Sequence, residues 1–138
     1  MWLFYALLSA LFASLTAIFA KLGVAHINSN LATGIRTIVI LILVWAIVFF
    51  RGETKGIASL SKQNLFFLVI SGLATGLSWL FYFKAIQSGN LSQVAPVDKL
   101  SVALTILFAF LFLGEPITLK TALGAGLIIA GTLVFAFK

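Results

Sequence analysis

Asp98 and Lys99 stand side by side in VAPVDKLSVAL, residues 94–104, near the start of an otherwise apolar run. Lys21 and Arg36 lie in or at the end of other apolar runs. A carboxylate in such surroundings has three uses. It pairs with a cation such as Arg36, Lys21 or Lys84 and holds helices together; it changes charge with a proton or a substrate; or it rests at headgroup level with no role. Placing Asp, Lys or Arg at the centre of a membrane helix costs about 2.5–3.5 kcal/mol on insertion scales, so each is a functional candidate.

Hydroxyls extend the set. Ser71, Thr75, Ser78 and Tyr82 recur at i, i+4, i+7 and i+11, one helical face. Asp98, Ser101 and Thr105 share another, and so do Thr33, Arg36 and Thr37. Ser9 and Thr16 are two turns apart. Any one of these hydroxyls is accounted for by a bond to its own i−4 carbonyl or to a neighbouring helix. Matched stripes on three helices point instead to a partly hydrated cavity, with Trp79 or Tyr82 as an aromatic contact. Adjacent helical residues point about 100° apart. Asp98 therefore joins the Ser101 and Thr105 stripe, and Lys99 is expected to point sideways and snorkel.

The same inventory excludes other chemistry. With one His, three acids and no Cys, the chain offers neither a zinc ligand set nor a disulfide. No nucleophile and base are paired, so neither an enzyme nor a bound cofactor or metal is expected. The net charge of +6 is spread singly at the ends of apolar runs, so the cations read as headgroup contacts and a nucleic-acid partner is not expected.

The elements that position these residues follow from composition. Hydrophobic residues make up 62% of the 138 positions, mean hydropathy is +1.21 and charged residues are 9%. Twelve charged side chains, nine basic and three acidic, are too few to cover a soluble domain of this length. A membrane span needs about 20 helical residues, and five runs meet that length: 2–20, 31–50, 65–83, 91–113 and 119–137. The fold expected is an all-α integral membrane bundle of five transmembrane helices, a single domain over 1–138, with the lipid bilayer as its solvent.

The connections carry their own signals. Asn90 with Gln93 three residues on resembles a capping box. Gly114, Glu115 and Pro116 read as the end of the fourth helix and the restart of the fifth, with the proline near its first turn. Pro96 leaves the Ser92 carbonyl without its helical donor, so a kink is expected just before Asp98. Gly72 and Gly76 form a GxxxG spacing read as internal packing. Ala122, Gly126 and Ala130 recur every fourth residue, for packing within the subunit or for a dimer seam.

Basic residues are nearly balanced across the membrane. Arg51, Lys55, Lys62 and Lys120 fall on the side of the N-terminus; Lys21, Lys84 and Lys138 fall opposite. The positive-inside bias is weak, with a lean to a cytoplasmic N-terminus, and insertion in both orientations is allowed.

Several stretches together resemble a known family: AIFAKLG at 17–23, TGIRTIVI around Arg36, FYFKAIQSGNLSQVAPVDKLSVAL, LFLGEPIT at 111–118 and GAGLIIAGTLV at 124–134. The chain is similar to a single EamA-type unit of the drug/metabolite transporter superfamily, in its short five-helix bacterial and archaeal form. The resemblance implies a secondary transporter of small metabolites in the cell (inner) membrane, an exporter working by alternating access. Larger members have ten helices as two inverted repeats with the substrate cavity between them, and this chain resembles half of that. An antiparallel homodimer is therefore implied. Small multidrug resistance relatives use an acid in their first helix to export cations, and the first helix here has none. Zwitterionic or anionic substrates are favoured accordingly, with Asp98, Arg36, Lys21, Ser78, Trp79, Tyr82, Ser101 and Thr105 as substrate or coupling candidates. A non-transporting accessory subunit, or half of a lipid-carrier flippase, is the rival reading.

Overall fold

The structure, a computed structural model, describes residues 1–137. Lys138, counted above among the cations of one face, lies outside the described residues. No strand occurs among them, and five helical spans are long and apolar enough to cross a membrane. They are α1 (Trp2–Gly23), α2 (Ser29–Phe50), α3 (Lys62–Ser88), a fourth span made of α4 (Leu91–Asp98), α5 (Leu100–Phe108) and a π turn (Ala109–Leu113), and α6 (Leu119–Ala136). Most large apolar side chains on these helices are exposed, which places them in the hydrocarbon that is their solvent.

Three helices run longer than the apolar runs that announce them. Capping and contacts, rather than hydropathy, set their ends. Asn28 caps α2, its side-chain oxygen accepting from the Asn30 N–H at 2.8 Å and from Leu31 at 3.4 Å, so α2 starts at Ser29 and not at Leu31. The Ser61 hydroxyl accepts from the Asn64 N–H at 3.0 Å and starts α3 at Lys62. At its other end α3 continues past Phe83 to Ser88, carrying Lys84, Ile86 and Gln87 as helical residues. The charged connection after α2 is also ordered, as a short 3₁₀ helix over Glu53–Ser59.

Two expected caps are replaced by others. Asn90 precedes α4 in an extended conformation, but its side chain makes no capping bond; only its carbonyl accepts, from Gln93 and Val94. A reciprocal capping box forms instead at Thr118 and Thr121 and starts α6. Pro116 therefore lies in the irregular segment before that helix, outside its first turn. Gly114 does end the fourth span. Its φ of +67° is the left-handed conformation that costs a residue with a Cβ about 1–2 kcal/mol. The Gly114 and Glu115 N–H groups both reach back to the Ala109 carbonyl, which widens the last turn into the π form.

Contacts gather the chain into two units, residues 19–87 and residues 1–18 with those from 88 onward. In the first, the buried side chains are Val24, Ser29, Ala32, Thr33, Phe83 and Ile86, at the end of α1, the start of α2 and the end of α3. In the second, α6 packs along α4 and α5, and Thr132 is buried. The glycines of the small-residue spacings mark no tight contact among the described residues. A Cβ added at Gly72, Gly76 or Gly126 meets no atom within 4 Å, so the expected internal packing at Gly72 and Gly76 is not found.

Candidate functional site

Within the 19–87 unit, Arg36 lies seven residues into α2, about 10 Å along the helix axis. Its guanidinium carbon sits 4.5 Å from the Trp79 ring centroid and 5.3 Å from that of Phe83. Trp79 and Phe83 are one turn apart on α3, so a single face of that helix supplies both rings. Tyr82 directly precedes Phe83 on α3. A guanidinium over an aromatic face gains about 0.5–2 kcal/mol, more as water is excluded. That recovers part of what it costs to bring Arg36 into the span.

The ring contacts hold the cation without taking up its donors in conventional hydrogen bonds. The five N–H donors lie in the plane, in the fork geometry that suits a carboxylate. Among the described residues the ion pairs are Arg51 with Glu53 and Lys99 with Asp98, and Arg36 is in neither. Nor does any side-chain or backbone oxygen among the described residues accept a hydrogen bond from it.

Lys21, grouped with Arg36 by sequence, has a different setting. Its ammonium donates to the Ile86 carbonyl in the last turn of α3, where helical carbonyls have no partner within the helix. Gln87 answers in the other direction, its side-chain amide donating to the Val24 carbonyl at 3.1 Å and to the Ile27 carbonyl at 2.8 Å. Each helix end thus satisfies carbonyls of the other. Val24 and Ile86, 1% and 0% exposed, fill the space beneath. The Thr33 and Thr37 hydroxyls bond the i−4 carbonyls of Ser29 and Thr33 on α2. On α3, Thr75 does the same to Ser71, while Ser78 is exposed.

In the other unit the fourth span breaks where the charges lie. Pro96 brings no N–H, α4 ends at Asp98, and Lys99 has φ −71° and ψ −6° before α5 begins at Leu100. The Lys99 N–H donates to the Pro96 carbonyl at 3.0 Å, a three-residue step in place of a four-residue one. Lys99, expected to point sideways and snorkel, has an exposed side chain. At the interrupted turn the Lys99 ammonium reaches the Asp98 carboxylate at 3.3 Å, and Lys99 is the ion partner the structure gives Asp98. Both side chains are more than a third exposed, and a pair so placed contributes less than about 1 kcal/mol. Thr105 bonds the Ser101 carbonyl at 2.8 Å. The buried Thr132 of α6 donates to the Pro96 carbonyl at 3.2 Å and braces the break from outside.

Phe83, Gln87 and Thr132 are the residues that sequence reasoning missed. Phe83 falls four after Trp79, a spacing that alone would have paired them. Gln87 is hidden by the end of the apolar run, and Thr132 stands as one hydroxyl in a Gly-rich helix.

Comparison with known proteins fits a carrier built of membrane helices. Residues 1–137 match the EamA-like transporter family, and the chain belongs to that family of membrane transporters. A Sinorhizobium sp protein described as an uncharacterized transporter in the cobO 3′ region is 51% identical over 135 residues, covering 98% of this chain and 96% of that one. An uncharacterized protein of Methanocaldococcus jannaschii is 29% identical over 132 residues, 96% of this chain and 93% of its own. No solved structure matches the chain.

Proposed function

We propose that this chain is a secondary active transporter of small zwitterionic or anionic metabolites. It exports them across the cell (inner) membrane by alternating access, as a homodimer of oppositely inserted copies. The observation that carries this reading is the number of spans. Five is odd, so the two ends of the unit emerge on opposite sides, and a second copy inserted the other way generates an inverted-repeat carrier. The near balance that the sequence gives, Arg51, Lys55, Lys62 and Lys120 against Lys21, Lys84 and Lys138, supports insertion in both orientations. Arg36, a cation inside a span with no carboxylate partner among the described residues, supports substrates that bring a negative group.

A thermal-shift screen of the purified protein against a metabolite library, followed by flux of the hits in proteoliposomes, tests the reading. A ligand that binds only the folded state stabilises it by RT ln(1 + [L]/Kd). The expected result is stabilisation by negatively charged metabolites and saturable flux of the same compounds by this chain alone. Stable purification with a second membrane protein and no flux alone assigns it to an accessory subunit or half of a lipid-carrier flippase.

A further inference from the structure

We infer that the Arg36 guanidinium, held against the Trp79 and Phe83 rings, is the anchor for a single carboxylate of the transported molecule. The inference rests on the transporter reading and adds to it the position and valence of the charge recognised. Three observations carry it. The guanidinium carbon lies 4.5 and 5.3 Å from the two ring centroids, so the cation is held against α3 before a ligand arrives. No oxygen among the described residues takes up its N–H donors. Lys21, the neighbouring cation of the same unit, already donates to the Ile86 carbonyl.

These observations select the ligand. A carboxylate matches the fork with two parallel N–H···O bonds and one balancing charge. A phosphate dianion or a dicarboxylate brings a second charge that one guanidinium does not balance. A cation is repelled. Trp79, forming the floor of the site, also makes the binding visible, because an anion drawn to the guanidinium edge changes the field at the indole.

The test uses full-length protein in proteoliposomes, with Trp2→Phe and Trp45→Phe so that Trp79 alone emits. The probes are acetate, benzoate, L-leucine and L-phenylalanine, each beside its primary amide, with inorganic phosphate and tetraphenylphosphonium as other charge classes. The expected result is a saturable change in Trp79 emission with at least one carboxylate and none with its amide. Arg36→Gln and Arg36→Lys should each weaken that binding by at least about 10- to 100-fold, the equivalent of losing one or more charge-assisted hydrogen bonds. Lysine keeps the charge but neither fork nor stack, so equal failure of both variants marks recognition by geometry. The inference is overturned if phosphate or tetraphenylphosphonium binds at Trp79 and no carboxylate does, if no probe binds, or if either variant binds the carboxylate as the parent does. Flux unimpaired in Arg36→Gln removes the anchor and leaves the transporter standing, whereas no flux of any solute by the parent protein removes both.

Discussion

Arg36 and Trp79 meet as a cation over an aromatic ring, 4.5 Å from guanidinium carbon to ring centroid. The contact joins the first half of α2 to the second half of α3, and Phe83 extends it by one turn. It puts a charge inside the membrane span while using none of that charge's hydrogen-bond donors.

Trp79→Leu is expected to lower the stability of the purified protein by about 0.5–2 kcal/mol beyond the change in buried area. Trp79→Phe keeps a ring under the cation and should recover part of the loss. Thermal unfolding in detergent of the two variants beside the parent measures the difference.

Gln87→Leu removes two hydrogen bonds, to the Val24 and Ile27 carbonyls, and is expected to cost about 1–3 kcal/mol. Gln87→Glu should be worse, because it sets an acceptor against two acceptors. Limited proteolysis at the turn between α1 and α2 reads the loosening locally: cleavage there should quicken in both variants.

Hydropathy made the five spans legible, because a run of about 20 apolar residues announces a crossing whatever its neighbours do. It could not announce the ends. Lys62, Gln87 and Ser88 are polar and lie outside the apolar run, yet they are helical because caps and partner carbonyls extend the helix past the hydrocarbon. The break at Lys99 was half legible: Pro96 marks the missing donor, but its distance from Asp98 does not reveal that the chain turns at the next residue and folds Lys99 back on the carboxylate. Arg36 was visible as a cation within an apolar run. Its seat was not, because a stack across two helices leaves no pattern within either one.

Thr132→Val preserves shape and deletes the hydroxyl that bonds the Pro96 carbonyl, at a cost of about 1 kcal/mol. Thr132→Ser should restore most of it. Amide hydrogen exchange over residues 96–102 is expected to accelerate in the valine variant alone, since the bond braces an already interrupted helix.

Asp98 and Lys99 form an exposed pair, so a double-mutant cycle with Asp98→Asn and Lys99→Gln is expected to give a coupling below about 1 kcal/mol. Asp98→Asn is expected to flatten the pH dependence of uptake in proteoliposomes; an unchanged profile would leave the carboxylate a structural role alone.

The central claim is that two copies of this five-span unit face opposite ways. The chain has no cysteine, so Gly56→Cys, on the exposed 3₁₀ segment between α2 and α3, gives a single labelling site. A membrane-impermeant maleimide added to intact spheroplasts should label about half the copies, and the remainder only after permeabilisation, as oppositely inserted repeats require. Labelling of every copy from one side, or of none until the membrane is opened, would contradict the claim.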